Sequence, residues 1–349
     1  MHKNMNEIIW TSVARAATAT RLINVVKNFA SLTLSILLKK SILWGAPSVL
    51  HIEPSVCCNL SCPQCLAGLK KIQRNESFIS LELYKKIIAE AGDKIWYLLL
   101  YNQGEPFLHD NLLEMIQIAR RRRIYVITST NGHFFNDSEF VENFIVSGIN
   151  AVIISLDGAD AETYRHYRKG GNFEMVHAGV KRLVECRKRL GLAYPKIMLQ
   201  FLVTRKNEHQ LGSMKRLAAC LKVDRLLIKS IQIEQPQTAD EYLPSNPGWR
   251  RYDFFEDRIA LKNQNHFCHR LWYSAVVLSD GRVVPCCFDK NSVFTLGNAK
   301  QSSPSSIWKS SAAMKFRNMI IQNGATLDIC RNCTENQKTF LKAGISPFA

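Results

Sequence analysis

Ser48-Val-Leu-His-Ile-Glu-Pro54, followed at once by Ser55-Val-Cys57-Cys58-Asn-Leu-Ser-Cys62-Pro-Gln-Cys65, reads as an apolar strand running into a loop of bunched thiols. The C-x3-C-x2-C run of Cys58, Cys62 and Cys65 offers three thiolates to a cubane cluster and leaves the fourth iron without a protein ligand. An iron with an open position can bind a small molecule and pass it an electron. Three ligands this close in sequence wrap one cluster only on a tight loop. The spacing alone is suggestive, and its neighbours decide it.

Outward from the loop a rhythm appears. Runs of strand length at Ile95–Asn102, Arg123–Asn131, Ile149–Asp157, Lys196–Thr204 and Asp224–Ile233 alternate with helical patterns at Leu81–Ala91, Asn111–Arg122, Ser138–Ser147, Phe173–Leu190 and His209–Leu221. With Val49–Pro54 these make six β/α units around a parallel sheet. Six units are too few for a closed eight-stranded barrel, so the expected fold is α/β, a partial (β/α)6 TIM barrel. Ligands of such folds gather where strands end, which is where the cysteine loop lies. Residues 48–235 form this barrel, and 236–262, broken by Pro236, Pro244, Pro247 and Gly248, read as a linker. From 263 to 349 short strands and turns take over, with one helix near Ile307–Ile321 and the remaining cluster of cysteines.

Composition narrows the function classes. Of 349 residues 46% are hydrophobic, enough for a substantial core, and eight of the eleven cysteines fall into two clusters with C-x2-C units rather than into a secreted disulfide framework. Metal-binding thiols need a reducing, cytoplasmic setting. The net charge of +17 is scattered, with Arg120-Arg-Arg-Arg123 its densest run, and no nucleic-acid-binding motif accompanies it. Residues 1–47 form a separate basic segment. Six basic residues, Lys3, Arg15, Arg21, Lys27, Lys39 and Lys40, face Glu7 alone, while Leu22, Val25, Val26, Phe29, Leu32 and Ile36 recur at helical spacing. The segment is too short in its uncharged part to span a bilayer. Its apolar stripe either packs on the barrel or makes peripheral contact with an anionic membrane.

The ordered strand-end motifs make the chain resemble the radical S-adenosylmethionine (SAM) enzymes with a C-terminal SPASM or Twitch domain. The resemblance rests on the cysteine loop, Gln103-Gly104-Glu105-Pro106 after strand two, Thr128-Ser-Thr-Asn-Gly132 after strand three, and Ser155-Leu-Asp-Gly158 with Tyr164-Arg-His-Tyr-Arg168 after strand four. It implies that Cys58, Cys62 and Cys65 hold a [4Fe–4S] cluster whose open iron is chelated by SAM. It implies SAM contacts from Gln64 (usually aromatic in the family), Gly104, Glu105, Ser155, Asp157 and Arg168, with Arg165 the runner-up. Gln200 and Lys229, inward if their strands alternate, are weaker pocket candidates, and Cys57 reads as a packed free thiol.

The second constellation also resembles the SPASM/Twitch pattern, through Cys268-His-Arg-Leu-Trp272, Asp280-Gly-Arg-Val-Val-Pro-Cys286-Cys287 and Cys330-Arg-Asn-Cys333. The implied ligands of one auxiliary [4Fe–4S] cluster are Cys268, Cys286, Cys330 and Cys333; a four-thiolate zinc site is the alternative. No cysteine follows Cys333, so a second auxiliary cluster is not expected. The expected reaction is reductive cleavage of SAM to a 5′-deoxyadenosyl radical, hydrogen abstraction, and oxidation of the substrate with the auxiliary cluster taking the electron. Cys287 and Asp289 are candidate proton acceptors. The alternatives are radical C–C or C–S bond formation, including peptide maturation, and a non-catalytic iron–sulfur scaffold. A flavodoxin or ferredoxin is the expected reductant.

Overall fold

The computed structural model describes residues 16–254, 259–262, 267–324, 327–331 and 333. The parts of the expected segments 1–47 and 263–349 that fall outside these ranges lie outside the described residues. The chain opens with helix α1 (Ala19–Leu37) and then alternates: β1 (Val49–Ile52), α2 (Leu81–Ala91), β2 (Tyr97–Leu99), α3 (Leu112–Arg121), β3 (Tyr125–Thr130), α4 (Ser138–Val146), β4 (Ala151–Ser155), α5 (Ala161–Tyr167), α6 (Phe173–Arg189), β5 (Lys196–Val203), α7 (Leu211–Cys220) and β6 (Arg225–Ser230). Local signals set several helix starts. Ser80, Asp137 and Asn172 accept from the backbone N–H groups of Leu83, Phe140 and Met175, capping α2, α4 and α6.

Strands β1 to β6 pair in sequence order, all parallel, as a partial barrel. Alternation along β5 sends Ile197, Leu199, Phe201 and Val203 into the core against the helices. Gln200 therefore faces the barrel interior, and the same logic places Lys229 inward on β6 between the core residue Ile228 and buried Ser230.

Beyond β6 come α8 (Ala239–Tyr242), the hairpin β7 (Tyr252–Phe254) and β8 (Ile259–Leu261), then β9 (Ser274–Val277), β10 (Arg282–Val284), β11 (Gly297–Asn298), α9 (Pro304–Trp308), α10 (Ser311–Asn323) and α11 (Asp328–Arg331). The described part of the expected linker 236–262 is packed structure. Tyr242, Leu243, Tyr252 and Leu261 join Leu60, Cys62 and Tyr167 in a second core cluster over the cysteine loop. Proline and glycine break its elements into short pieces, but its aromatic and aliphatic side chains still bury. The single helix expected near 307–321 is two, because Ser310 accepts from Ala313 N and starts α10 afresh.

The sheet does not end at β1. Strand β9 pairs with β1 in parallel, Val49 opposite Ser274 and His51 opposite Val276, and β10 and β11 extend it antiparallel. The C-terminal cysteine segment thus continues the barrel's own sheet on the edge beside the cysteine loop.

Of the expected stripe, Leu32 packs against the core, but Leu22, Val25, Val26, Phe29 and Ile36 do not. In α1 the buried side chains are Arg21, Asn24, Asn28, Ser31 and Ser35, while those apolar residues are exposed. Polar side chains win this interface because it is built from backbone ends. Arg21 donates to the carbonyls of Gly92, Arg122 and Arg123, which follow α2 and α3 and have no intrahelical partner to satisfy them.

Candidate active site

Tight local bonds hold the cysteine loop. Cys65 N donates to Cys62 O at 3.2 Å, Leu69 N to Cys65 O at 2.8 Å, and Leu60 N to Cys58 Sγ at 3.4 Å. Cys62 is buried, with Cys58 and Cys65 half-buried beside it. Burial pushes the Cys62 thiol up to about 11 and raises that of Cys58, while the Arg168 charge pulls both the other way. Such thiols ionise when a strong positive charge arrives, as iron would bring.

The neighbouring strand ends close on this loop. Glu105 N donates to Cys57 O at 2.7 Å. Gly104, at φ 70°, passes so close that a Cβ there would stand 2.4 Å from Ser55 O, so only glycine fits. The Glu105 carboxylate is buried and accepts from Phe107 N at 3.1 Å and Asn131 N at 2.7 Å. Burial still outweighs these bonds and pushes it up to about 7. Asn131, of the Thr-Asn-Gly segment, donates its amide to Asn59 Oδ1 at 2.7 Å, inside the cysteine loop.

After β4, Asp157 is fully buried. It accepts from Leu202 N at 2.7 Å and from Arg168 Nε at 2.5 Å. Arg168 Nη1 lies 3.9 Å from Cys62 Sγ. Arg165 is exposed and donates to Ala161 O in its own helix. Ser155 is buried at the end of β4, with inward Gln200 its partner across the sheet. The Gln64 side chain is already engaged: its Oε1 accepts from Glu234 N and Gln235 N at 2.8 and 2.9 Å, and its Nε2 donates to Thr238 Oγ1 at 2.7 Å.

Two residues that sequence reasoning passed over are central to this geometry. Glu53, at the end of β1, is fully buried and pairs with Arg74 at 2.9 Å. It also accepts from Asn102 Nδ2, Gln103 N and Ser279 N, so one carboxylate joins the β1 end, the β2 end and the C-terminal segment. His133 bonds Asn131 Oδ1 at 2.9 Å through Nδ1 and accepts from Asn172 N through Nε2. The only available signal was position, since Glu53 ends the first strand and His133 follows Asn131-Gly132.

In the second constellation Cys268, Cys286, Cys330 and Cys333 line one small pocket, walled by apolar side chains such as Phe316 and Ile320. Burial raises the thiols of Cys286 and Cys330. Among the described residues no three ligating side chains converge on one point as a single ion requires. The four thiols share this apolar space, as the ligands of one auxiliary cluster would. Cys287 turns the other way and packs with Val276, Leu278 and Val284, on the face of β9 that carries His51 opposite Val276. Asp289 is committed to its own loop, accepting from Val293 N at 2.8 Å and Phe294 N at 2.9 Å.

Residues 52–195 match the Radical SAM superfamily, and residues 268–334 match SPASM, an iron–sulfur cluster-binding domain. The chain belongs to the radical SAM superfamily. SAM and [4Fe–4S] clusters are accordingly its cofactors, and the two thiol sets fit the clusters. Among curated relatives, the tungsten-containing aldehyde ferredoxin oxidoreductase cofactor-modifying protein of Pyrococcus furiosus is 24% identical over 324 residues, covering 82% of this chain and 86% of that protein. The mycofactocin maturase MftC of Mycolicibacterium smegmatis is 32% identical over 185 residues, covering 52% of this chain and 45% of that protein, so the matched stretch spans less than half the maturase. The solved structure of Streptococcus suis SuiB bound to precursor peptide SuiA shares the fold, with a TM-score of 0.61 at 15% identity over 90% of this chain and 80% of that one.

Proposed function

We propose that this radical SAM enzyme oxidises an organic substrate by hydrogen abstraction, with the C-terminal site accepting the substrate's electron. Cys58, Cys62 and Cys65 would hold the first cluster, and Gly104, Glu105, Ser155, Asp157 and Arg168 would hold SAM beside it, with the Gln64 backbone at the adenine. When bound, that pair supplies reductive cleavage of SAM and a carbon radical able to take hydrogen from unactivated carbon. The protein's part is to orient and to exclude water. Arg168, ion-paired with Asp157, keeps its guanidinium charged beside the thiols, and buried Glu105 offers its remaining lone pairs to a cationic ligand.

The observation that carries the oxidative reading is the closed second site. Its four thiols give a cluster no open position for substrate, which suits moving electrons. Cys287, on the inner face of the sheet, is the better placed candidate proton acceptor; Asp289 serves its loop. A second reading, bond formation in cofactor or peptide maturation, draws support from the relatives whose names describe modification and maturation. The reading includes reduction by a flavodoxin or ferredoxin, and a cytoplasmic setting with peripheral membrane contact through residues 1–47. It takes 48–235 as the catalytic barrel, 236–262 as its packed connection and 263–349 as the auxiliary domain.

Anaerobic reconstitution with reductant and SAM tests it. Wild type is expected to bind about eight irons, from two cubanes, and to form 5′-deoxyadenosine. The triple Cys58/Cys62/Cys65→Ala variant should form none. A Cys286→Ala/Cys330→Ala variant should still cleave SAM but yield no oxidised product from candidate alcohols or peptides. Cleavage by the triple variant would sink the mechanism, and a bond-forming product would select the second reading.

A further inference from the structure

Helix α1 presents its faces in the reverse of the usual order. Its polar side faces the protein, and Asn24 and Asn28 donate to Ala46 O at 3.0 and 2.8 Å while Ser35 Oγ accepts from Trp272 Nε1 at 3.0 Å. Its apolar side faces solvent. Val26 is 67% exposed and Phe29 70%, with Leu22, Ile23 and Val25 beside them, and Ile36, Leu37, Leu38 and Trp44 extend the strip. A contiguous strip of this kind on a helix marks a surface that something covers.

The charges around the strip say what. Lys27, Lys39 and Lys40 are exposed among these residues, and no aspartate or glutamate occurs between Glu7 and Glu53. Against the same face runs a groove lined by Ile23, Lys27, Trp44, Lys94 and Lys309. We infer that α1 lies in the headgroup layer of a bilayer containing anionic lipid, with Phe29 and its neighbours inserted and the lysine groove receiving headgroup phosphates. Self-pairing is disfavoured, because a twofold contact would bring Lys27, Lys39 and Lys40 against their own copies, and α1 itself carries no carboxylate to offset them. The helix lies on the membrane and does not cross it: no described helix is long and apolar enough to span, and its polar side is bonded to the barrel.

Orientation follows. Arg21 ties α1 to the carbonyls of Gly92, Arg122 and Arg123, just before β2 and β3 begin. The membrane face is therefore at the N-terminal end of the strands, and the cysteine loop is at the other. The surface places the enzyme; it does not feed lipid into the site. The inference extends the peripheral contact in the proposed function and is independent of the radical chemistry.

Sedimentation of the full-length reconstituted protein with vesicles tests it, comparing phosphatidylcholine alone with phosphatidylcholine mixed with phosphatidylglycerol. Wild type should pellet with the anionic vesicles only, and less so at high salt. Each lysine at such a surface is worth about fivefold in partitioning, so Lys27/Lys39/Lys40→Gln should weaken binding on the order of a hundredfold. Val26→Ser/Phe29→Ser, changing exposed side chains, should also abolish pelleting. Both variants should keep wild-type 5′-deoxyadenosine formation, which separates this inference from the catalytic one. Wild type left in the supernatant with anionic vesicles overturns the inference: if it is dimeric and Phe29→Ser makes it monomeric, a second copy covers the face, and if it is monomeric, a protein partner does. Pelleting that both variants retain overturns it equally.

Discussion

Arg168 donates to Asp157 at 2.5 Å, with the Asp157 side chain inaccessible to solvent and that of Arg168 14% exposed. Burial opposes both charges, yet each offsets the other, and Arg168 is held well above its ordinary range by Asp157 and Cys62. The pair lets the protein keep a permanent cation next to buried thiols. Removing one partner exposes the cost. Arg168→Leu should destabilise the fold by about 3–5 kcal/mol, because it strands a buried carboxylate. The double variant Arg168→Leu/Asp157→Asn should recover part of that. Urea unfolding of the iron-free proteins reads stability, and iron retention reads the effect on the loop.

Gln64 stands where the family usually has an aromatic residue, and its amide is spent on residues 234–238. It acts as a latch between the cysteine loop and the chain leaving β6. Gln64→Ala leaves two part-buried N–H groups without their acceptor, so a loss of about 1 kcal/mol is expected. Faster amide exchange at Glu234 and Gln235 would check that the loss is local. Exchange unchanged at those amides would show that the latch does not hold the segment.

How much was readable varied with the kind of interaction. The alternation of β5 and the caps Ser80 and Asp137 are local, so their elements were legible, as were the strand-end motifs. The buried face of α1 was not. Hydrophobic periodicity assumes that apolar side chains seek the core, but the surface that α1 covers is made of helix ends, whose carbonyls reward Arg21. Nor could spacing show β9 joining β1, since that pairing bridges more than two hundred residues, from Val49 to Ser274. Glu53 looked like an ordinary charge at a strand end, and its role exists only because Arg74, Asn102 and Ser279 arrive from three segments. The 236–262 stretch misled because proline marks where elements break, not whether they pack.

Cys287 and Asp289 should separate by readout. Asp289→Ala removes the acceptor for two backbone N–H groups and should lower stability by about 1–3 kcal/mol, together with iron retention at the second site. Cys287→Ala removes a thiol packed on three aliphatic side chains and should leave iron content and 5′-deoxyadenosine formation unchanged. If Cys287 takes the substrate proton, oxidised product should fall while SAM cleavage persists. Equal product from wild type and Cys287→Ala would exclude it.

His51 sits on β1 with its Nε2 3.4 Å from Arg270 Nη2, and burial and then that charge lower it to about 3. Unfolded, it titrates near pH 6.5. Between these values the unfolded chain binds more protons than the native one, so stability must fall as pH falls through that window. Above pH 6.5 the contribution is fully present. His51→Gln should flatten the acid limb of a stability-versus-pH curve between about pH 6.5 and 3, a change that parallel urea titrations would detect.

Glu105 has the opposite slope. Its carboxyl is raised by burial from 4.5 to about 7, so between those values the native state holds a proton that the unfolded chain has lost. Stability contributed by the neutral form is present below about pH 4.5 and declines as pH rises to 7. A cationic ligand reverses the preference, because it pairs with the ionised form only. SAM binding to the iron-loaded protein should therefore tighten as pH rises through about 7, releasing a proton below that pH. Glu105→Gln keeps one acceptor oxygen but forfeits the charge, so its affinity should be weaker and flat with pH. Calorimetry in buffers of different ionisation enthalpy would count the proton. Equal proton release by wild type and Glu105→Gln would assign the titration to another group.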